Sequence, residues 1–248
     1  MIVFTIAGTE LRRMFQTALA WSVLAVVQFL LSIFFFVLLW KFLEPGAGIA
    51  GRGLTDIVVT GTLQIAGIVL LLVSPLLTMR LFSEEQRSGT MQLLSSAPIT
   101  LTEIVLGKYL GVLGFMFCML GMIALMPLSL LTGASLDLGQ LGAGLLALGL
   151  LMAAFAAIGL FVSTLTDQPT LAAVGGFAAL FILWIIHIAG YSGGEAVSAV
   201  FSYLSLLRHF DGLLDGYFSS VDVVYFVLLI ATFLSLSVWR LDARRTYH

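Results

Sequence analysis

Residues 138–165 read LGQLGAGLLALGLLMAAFAAIGLFVSTL, without one Asp, Glu, Lys or Arg. A helix needs about 20 such residues to cross the hydrocarbon core of a bilayer, and a backbone in lipid must close its own hydrogen bonds. The run is therefore a membrane-spanning helix, and it fixes the scale on which the remaining sequence is read. Five further runs of the same kind lie at about 20–43, 57–79, 104–132, 170–190 and 221–240. Lys108 and Asp222 fall near the ends of their runs, where a charged head is expected to reach the interface. The chain of 248 residues is 60% hydrophobic and only 10% charged, with a mean hydropathy of +1.13. Soluble domains carry about 25% charged residues, so this composition suits a bilayer and not water. The fold class expected is an all-α integral membrane protein with six transmembrane helices, built as one transmembrane domain over 1–248.

Lys and Arg in short loops orient such a protein. With six spans the termini share a side, which receives Arg12, Arg13, Arg80, Arg87, Lys108, Arg240, Arg244 and Arg245. The other side receives Lys41, Arg52 and Arg208. Eight against three places both termini in the cytoplasm. The expected location is the inner (cytoplasmic) membrane, crossed several times. Net charge is -2, and no basic patch points to nucleic acid.

Residues 1–19 precede the first span. Leu11, Met14, Phe15 and Ala18 follow helical apolar spacing, while Glu10, Arg12, Arg13 and Gln16 face elsewhere, which predicts an amphipathic helix in the cytoplasmic interface. LRRMFQ is similar to a twin-arginine export signal, but the span behind it is too long for a cleaved leader. On the outer side, about 191–220 is the sizeable segment. Its Leu204, Leu207, Phe210 and Leu214 predict one or two short helices lying on the outer leaflet or capping the spans. No loop approaches the roughly 50 residues of an independent domain.

Several chemistries are excluded. Gly107-Lys108 is the one Gly-Lys pair, and Thr102 stands where a P-loop needs its first glycine, so the chain does not hydrolyse ATP by itself. Ion-coupled carriers hold ionisable groups at mid-membrane. Here the deep polar residues are Gln28, Ser32, Thr62, Gln64 and His187. His187 reads as packed or interfacial before it reads as a proton carrier. Gln28 and Gln64 read as links between helices or as the lining of a path. Gly107, Gly111, Gly114, Cys118 and Gly121, at steps of four, three, four and three, let another helix approach closely, as do Gly149, Ala153 and Ala157. Pro75 and Pro127 are expected to kink or break their helices. His209 with Asp211 and Asp215 matches no established zinc spacing, and a solvated amphipathic loop is the reading preferred for it. No catalytic residues and no metal or cofactor site are expected.

One polar stretch interrupts this pattern: SEEQRSGTMQLLSSAPITLTEIVLGKYLG, residues 83–111. Ser83 is the expected N-cap of a short helix with Glu84 and Glu85 in its first turn, and Gly89 is its expected end. Thr100 or Thr102 with Glu103 then starts the third span. The product is a helical elbow over 80–100, suited either to docking another protein or to lying on the membrane surface.

These residues resemble the signature of ABC type-2 transporter permeases, E-x-x-x-G-T-x-x-x-L-x-x-x-P-(I/V) followed by G-K. Glu85, Gly89, Thr90, Leu94, Pro98, Ile99, Gly107 and Lys108 hold those places. Met91-Gln92 departs from it, since many members carry an acidic residue there. Leu204, His209, Phe210, Gly216, Asp222 and Tyr225 are similar to the branch containing the gliding-motility permease and the permease of nitrous-oxide-reductase maturation.

The resemblance implies a subunit of an ATP-driven exporter. Two permease chains, alike or different, would form the membrane unit. A separate P-loop ABC ATPase, holding the ATP and Mg, would dock beneath each. It makes 80–100 a coupling segment contacting the ATPase through Glu84, Glu85 and Arg87, with Phe82 or Met91 as apolar anchor. The helix bearing Glu10, Arg12 and Arg13 would form the second contact. Gln28, Ser32, Thr62 and Gln64 would line a sparse path, and an auxiliary subunit with an extracytoplasmic domain would supply what the small outer loops lack. Two other readings stay open: an ATPase-independent carrier, and a mechanical transmitter to an outer partner without transport.

Overall fold

Helix formation starts at the second residue and dominates the chain thereafter. The computed structural model describes residues 2–44, 53–89, 99–132, 136–190, 203–216 and 219–246, with the backbone alone for 132, 187–190 and 244–246. Among these residues every regular element is helical, and six helices are long and apolar enough to cross a membrane.

The chain opens with α1 (Ile2–Gln16), turns at Thr17, and enters α2 (Ala18–Leu43). The corner is closed by Thr17 Oγ1 donating to the Met14 carbonyl at 2.8 Å and by Trp21 Nε1 donating to the Phe15 carbonyl at 2.8 Å. A π-helical turn over Thr55–Thr60 leads into α3 (Gly61–Thr78), followed by the short α4 (Ser83–Ser88). Then come α5 (Leu101–Ser129), α6 (Leu138–Leu165) and α7 (Pro169–Gly190). The nine-residue α8 (Leu206–Leu214) precedes α9 (Ser220–Thr246). Of the outer segment expected over 191–220, residues 191–202 lie outside those described.

The helices start where local chemistry dictates. Thr100 and Glu103 form a reciprocal capping box at the head of α5: Thr100 Oγ1 accepts from the Glu103 N–H, and Glu103 Oε2 accepts from the Thr100 N–H at 2.9 Å. Asp137 Oδ1 likewise accepts from the N–H groups of Gly139 and Gln140 at the head of α6. The prolines do not break their helices. α3 continues through Pro75 and α5 through Pro127. The hydroxyls of Ser74 and Thr78 beside Pro75 bond carbonyls of their own helix, as polar groups in lipid must.

α6 is the axis of the bundle, bordered by α3, α5, α7, α8 and α9. Its Ala147, Leu148, Leu151, Ala154, Phe155 and Ile158 are buried. Glycines set its spacing: a Cβ at Gly144 would lie 2.6 Å from Leu63 Cδ1, and one at Gly159 would overlap Thr78 Oγ1. α2 and α9 stand at the periphery, presenting Phe29, Phe36 and Val37, and Val224, Leu228 and Trp239, outward. Trp21 and Trp40 are both exposed at opposite ends of α2, nineteen residues or about 28 Å apart. That separation matches the two aromatic belts of a bilayer.

Candidate functional site

The end of the bundle where α3 leaves the core carries the polar elbow. Ser83 does not cap α4. Its hydroxyl turns back to the Met79 carbonyl, and the cap position belongs to Phe82. The buried N–H groups at the start of α4 are met from another helix instead: Ser163 Oγ of α6 accepts from Phe82 N at 3.0 Å and from Ser83 N at 3.2 Å. Gly89 ends α4 with φ of 71°, a left-handed conformation that suits glycine. The elbow is thus pinned to the core at its first turn and exposed at Arg87, Ser88 and Gly89.

Beneath it sits Lys108, which sequence placed at the interface. Its side chain is buried, only 3% exposed. Nζ donates to Glu85 Oε1 at 2.6 Å, lies 3.6 Å from Glu10 Oε2, and sits 5.3 Å from the centroid of the Phe82 ring. Burial of a lone ammonium would cost several kcal/mol, so two carboxylates and a ring face meet it here. One cation of α5 therefore ties together α1, α4 and a spanning helix. Glu10, expected on the polar outer face of α1, points inward to this cation.

Glycines make that approach feasible. α1 lies along α5, and a Cβ at Gly107 would sit 2.7 Å from Ile6 Cβ while one at Gly111 would sit 2.8 Å from Glu10 Cβ. The small-residue face expected to receive another helix receives α1. Leu11, Met14 and Phe15 pack on the core, with the Phe15 and Phe115 rings 5.1 Å apart. Cys118 and Gly121, farther along the same sequence pattern, are exposed, and a Cβ at Gly121 would touch nothing.

The remaining residues expected at a docking site divide by exposure. Arg12, Arg13 and Arg87 are exposed, and Arg13 pairs with Glu84 at 3.4 Å across the gap between α1 and α4, their side chains 49% and 44% exposed. Phe82 is fully buried in the chain's own core, so its ring is not offered to a partner. Met91, with Thr90, Leu94 and Pro98 of the signature, lies outside the described residues. Beside the elbow an open groove of about 1080 Å³ runs between α4 and the α6–α7 turn, with Arg80, Arg87 and Gln168 on its walls.

The four residues expected along a path all make hydrogen bonds within the chain. Ser32 Oγ and Thr62 Oγ1 donate to carbonyls one turn back in their own helices, at 2.8 and 2.6 Å. Gln28 Nε2 bonds the Met122 carbonyl of α5 at 3.2 Å, and Gln64 Nε2 bonds Asp211 Oδ1 of α8 at 3.2 Å. Both glutamines are links between helices. The side chain of His187 is not among those described.

At the opposite end, His209 is neither solvated nor grouped with Asp211 and Asp215. It is 6% exposed; Nδ1 lies 2.6 Å from Asp222 Oδ1 and Nε2 lies 2.9 Å from the Tyr203 carbonyl. Its ring stacks on Tyr225 at 4.0 Å. Asp222, expected to reach the interface, is the acid of this pair. Among the described residues no three His, Cys, Asp or Glu side chains converge on a metal position. Sequence pattern missed Lys108 and Ser163 as members of the elbow and Asp222 as the partner of His209. The step of four from Gly107 to Gly111, matched to Ile6 and Glu10 on α1, is the signal that carries the first of these.

An all-helical chain with six bilayer-length helices is a multi-pass membrane protein. Residues 53–245 match the family model described as ABC-2 family transporter protein, so the chain belongs to that family and is a membrane permease component of an ABC transporter. Permeases of this family are membrane subunits, generally non-catalytic, that work with an ABC ATPase. α1 and α2 precede the matched region. A search among curated proteins gives no match.

Proposed function

We infer that α4 and α1 together receive the stroke of a separate P-loop ABC ATPase and pass it to the spans through Lys108. The single observation that carries this is the buried Lys108, joined at one point to Glu85 of the elbow and Glu10 of α1. A push on either short helix must move α5, because separating them would strand buried charges. Glu84, Arg87, Arg12 and Arg13 face outward and make the polar contacts. Glu85, Glu10 and Phe82 hold the elbow from within. ATP and Mg belong to the partner, and the first, second and fifth spans rearrange around the path between two permease chains.

The excess of Lys and Arg on the elbow side supports an inner-membrane protein with both termini cytoplasmic. His209, Asp222 and Tyr225 meeting in one cluster supports the gliding-motility and nitrous-oxide-reductase-maturation branch. The direction is export, of an amphipathic cargo or none. A second reading is favoured by the donors of Gln28, Ser32, Thr62 and Gln64, each of which bonds a group of the chain's own helices. On that reading the strokes work on an outer partner, through an auxiliary subunit with an extracytoplasmic domain, without transport.

The test is a mild-detergent pull-down of the tagged chain from its native membrane. A P-loop ATPase is expected to co-purify and to be lost when Glu84→Lys and Arg87→Glu are combined, while the variant chain melts as the native one does. Undiminished capture by that variant would remove the elbow from the docking surface.

A further inference from the structure

The outer end of the bundle is filled by α8. Of the two placements its sequence allowed, on the leaflet or capping the spans, this helix takes the second. Its buried stripe is Leu206, Phe210, Leu213 and Leu214, a register shifted from the expected Leu204, Leu207, Phe210 and Leu214. Phe210 reaches deepest. Its ring occupies the space beside Gly67 of α3, where a Cβ would lie 3.0 Å from it and 3.3 Å from Leu151 Cδ2. Leu151 is halfway along α6, so the ring stands near the middle of the bundle, 6.2 Å from that of Trp184. Leu214 fits above Gly144.

The way α8 is held differs from the way it is packed. Nine residues are too few for a helix to persist alone, since isolated helices below about 12 residues are marginal, so α8 owes its shape to this seat. Two polar ties lie at its rim. Asp211 accepts from the exposed Gln64, a bond that water can replace. The other tie is enclosed: His209 faces Asp222 Oδ1 and the Tyr203 carbonyl at once, stacks on Tyr225, and has Tyr203 edge-on at 5.6 Å. The Tyr225 hydroxyl in turn donates to the Leu204 carbonyl at 2.7 Å, fixing the stretch that leads into α8. Asp222 stands in the first turn of α9, where the helix dipole favours its charge. Charge-assisted hydrogen bonds of this kind are about twice as strong as neutral ones.

We propose that α8 is a removable stopper of the outer end and that the His209–Asp222 pair is the latch that must open for it to leave. The proposal rests on the permease reading for its purpose, since a path through the chain needs an exit here. Its geometry is independent of any ATPase. Water can compete for the Asp211–Gln64 bond while α8 is seated, whereas the His209–Asp222 pair, 7% and 15% exposed, is shielded until it opens.

The test uses the full chain in membrane vesicles with Cys118→Ser as background and one added cysteine, Leu213→Cys on the buried face of α8. A membrane-impermeant maleimide reports how often that face meets water. Labelling is expected to be slow with the latch intact and at least about ten-fold faster with Asp222→Asn or His209→Gln, the loss expected for a hydrogen bond to a charged group. The double variant should be no faster than either single one. Ala154→Cys, fully buried in α6, serves as control and should stay protected throughout. Unchanged labelling of Leu213→Cys overturns the latch. So does parallel labelling of Ala154→Cys, which would make the pair a staple of the whole bundle, and so does a double variant faster than both singles. None of these readings depends on ATPase capture, so the latch and the docking surface fail separately.

Discussion

The two ends of the bundle use the same parts to opposite effect. Each holds a short helix, α4 or α8, against the spans, and each fastens it with an enclosed contact between a carboxylate and a nitrogen base. At the elbow the cation belongs to a spanning helix, and the short helices bring the carboxylates: Lys108 takes Glu85 from α4 and Glu10 from α1. At the other end the spanning helix brings the acid, Asp222, and the short helix the base, His209. The difference lies in what each short helix shows to the outside. α4 turns its exposed arginine and glutamate away from the core and buries only its first turn. α8 buries Leu206, Phe210, Leu213 and Leu214 and reaches mid-depth. A helix fastened at its root with charges outward can transmit a push; one with an apolar face sunk in the bundle can only fill or vacate it.

The comparison is broken most directly at Lys108. Lys108→Met leaves Glu85 and Glu10 enclosed without a cation, and removing one partner of a buried pair costs about 3–5 kcal/mol. The melting temperature of the purified chain should fall by many degrees and α1 should become a protease target. Adding Glu85→Gln and Glu10→Gln should restore most of the loss, because a neutral cluster strands no charge. A single Lys108→Met variant that melts like the native chain would mean the cluster is looser than its 2.6 Å contact implies.

A smaller effect is expected from the glycine seam, and it distinguishes two positions on one helix. Gly111→Leu places a side chain where Glu10 Cβ already stands 2.8 Å from the first added atom. Overpacking of this kind costs about 1–3 kcal/mol and should lift α1 off α5. Gly121→Leu, ten residues along the same helix with nothing within 4 Å, should change neither melting nor proteolysis. Equal behaviour of the two variants would show that α1 does not depend on the seam.

These residues also mark what a sequence can and cannot carry. The spans were legible because each long apolar run has one solution in lipid, a helix that closes its own hydrogen bonds. The end of α4 at Gly89 and the Thr100–Glu103 box were legible because capping is a matter of a few adjacent residues. Glycine steps on α5 announced a close neighbour but not which one, since several helices could have used that face. Lys108 and Asp222 were misplaced for one reason: nearness to a span end suggests an interface, and only tertiary packing brings Glu85, 23 residues away, or His209, 13 residues away, to enclose them. Glu10 was assigned outward because a helical wheel knows polarity and not partners. α8 has the amphipathic period of a surface helix, and the same period serves a helix inserted among others. The match to the ABC-2 family begins at residue 53, so the tie of α1 to the elbow comes from the geometry alone.

The smallest effect on the fold is expected where the two outward faces meet. Arg13 and Glu84 lie 3.4 Å apart with about half of each side chain in solvent. Exposed pairs of this kind are worth under about 1 kcal/mol, because water screens them and two long side chains lose freedom in pairing. Arg13→Ala should therefore leave the melting temperature within error of the native value, in contrast to Lys108→Met at the buried contact of the same two helices. Its effect should fall instead on capture of the ATPase, since the exposed charges of α1 and α4 form one surface. A drop of several degrees would mean that the pair holds α1 to α4 structurally, and the division between an inner fastening and an outer docking face would then fail. Unchanged melting with weakened capture separates the two roles residue by residue, the buried cation for the fold and the exposed one for the partner.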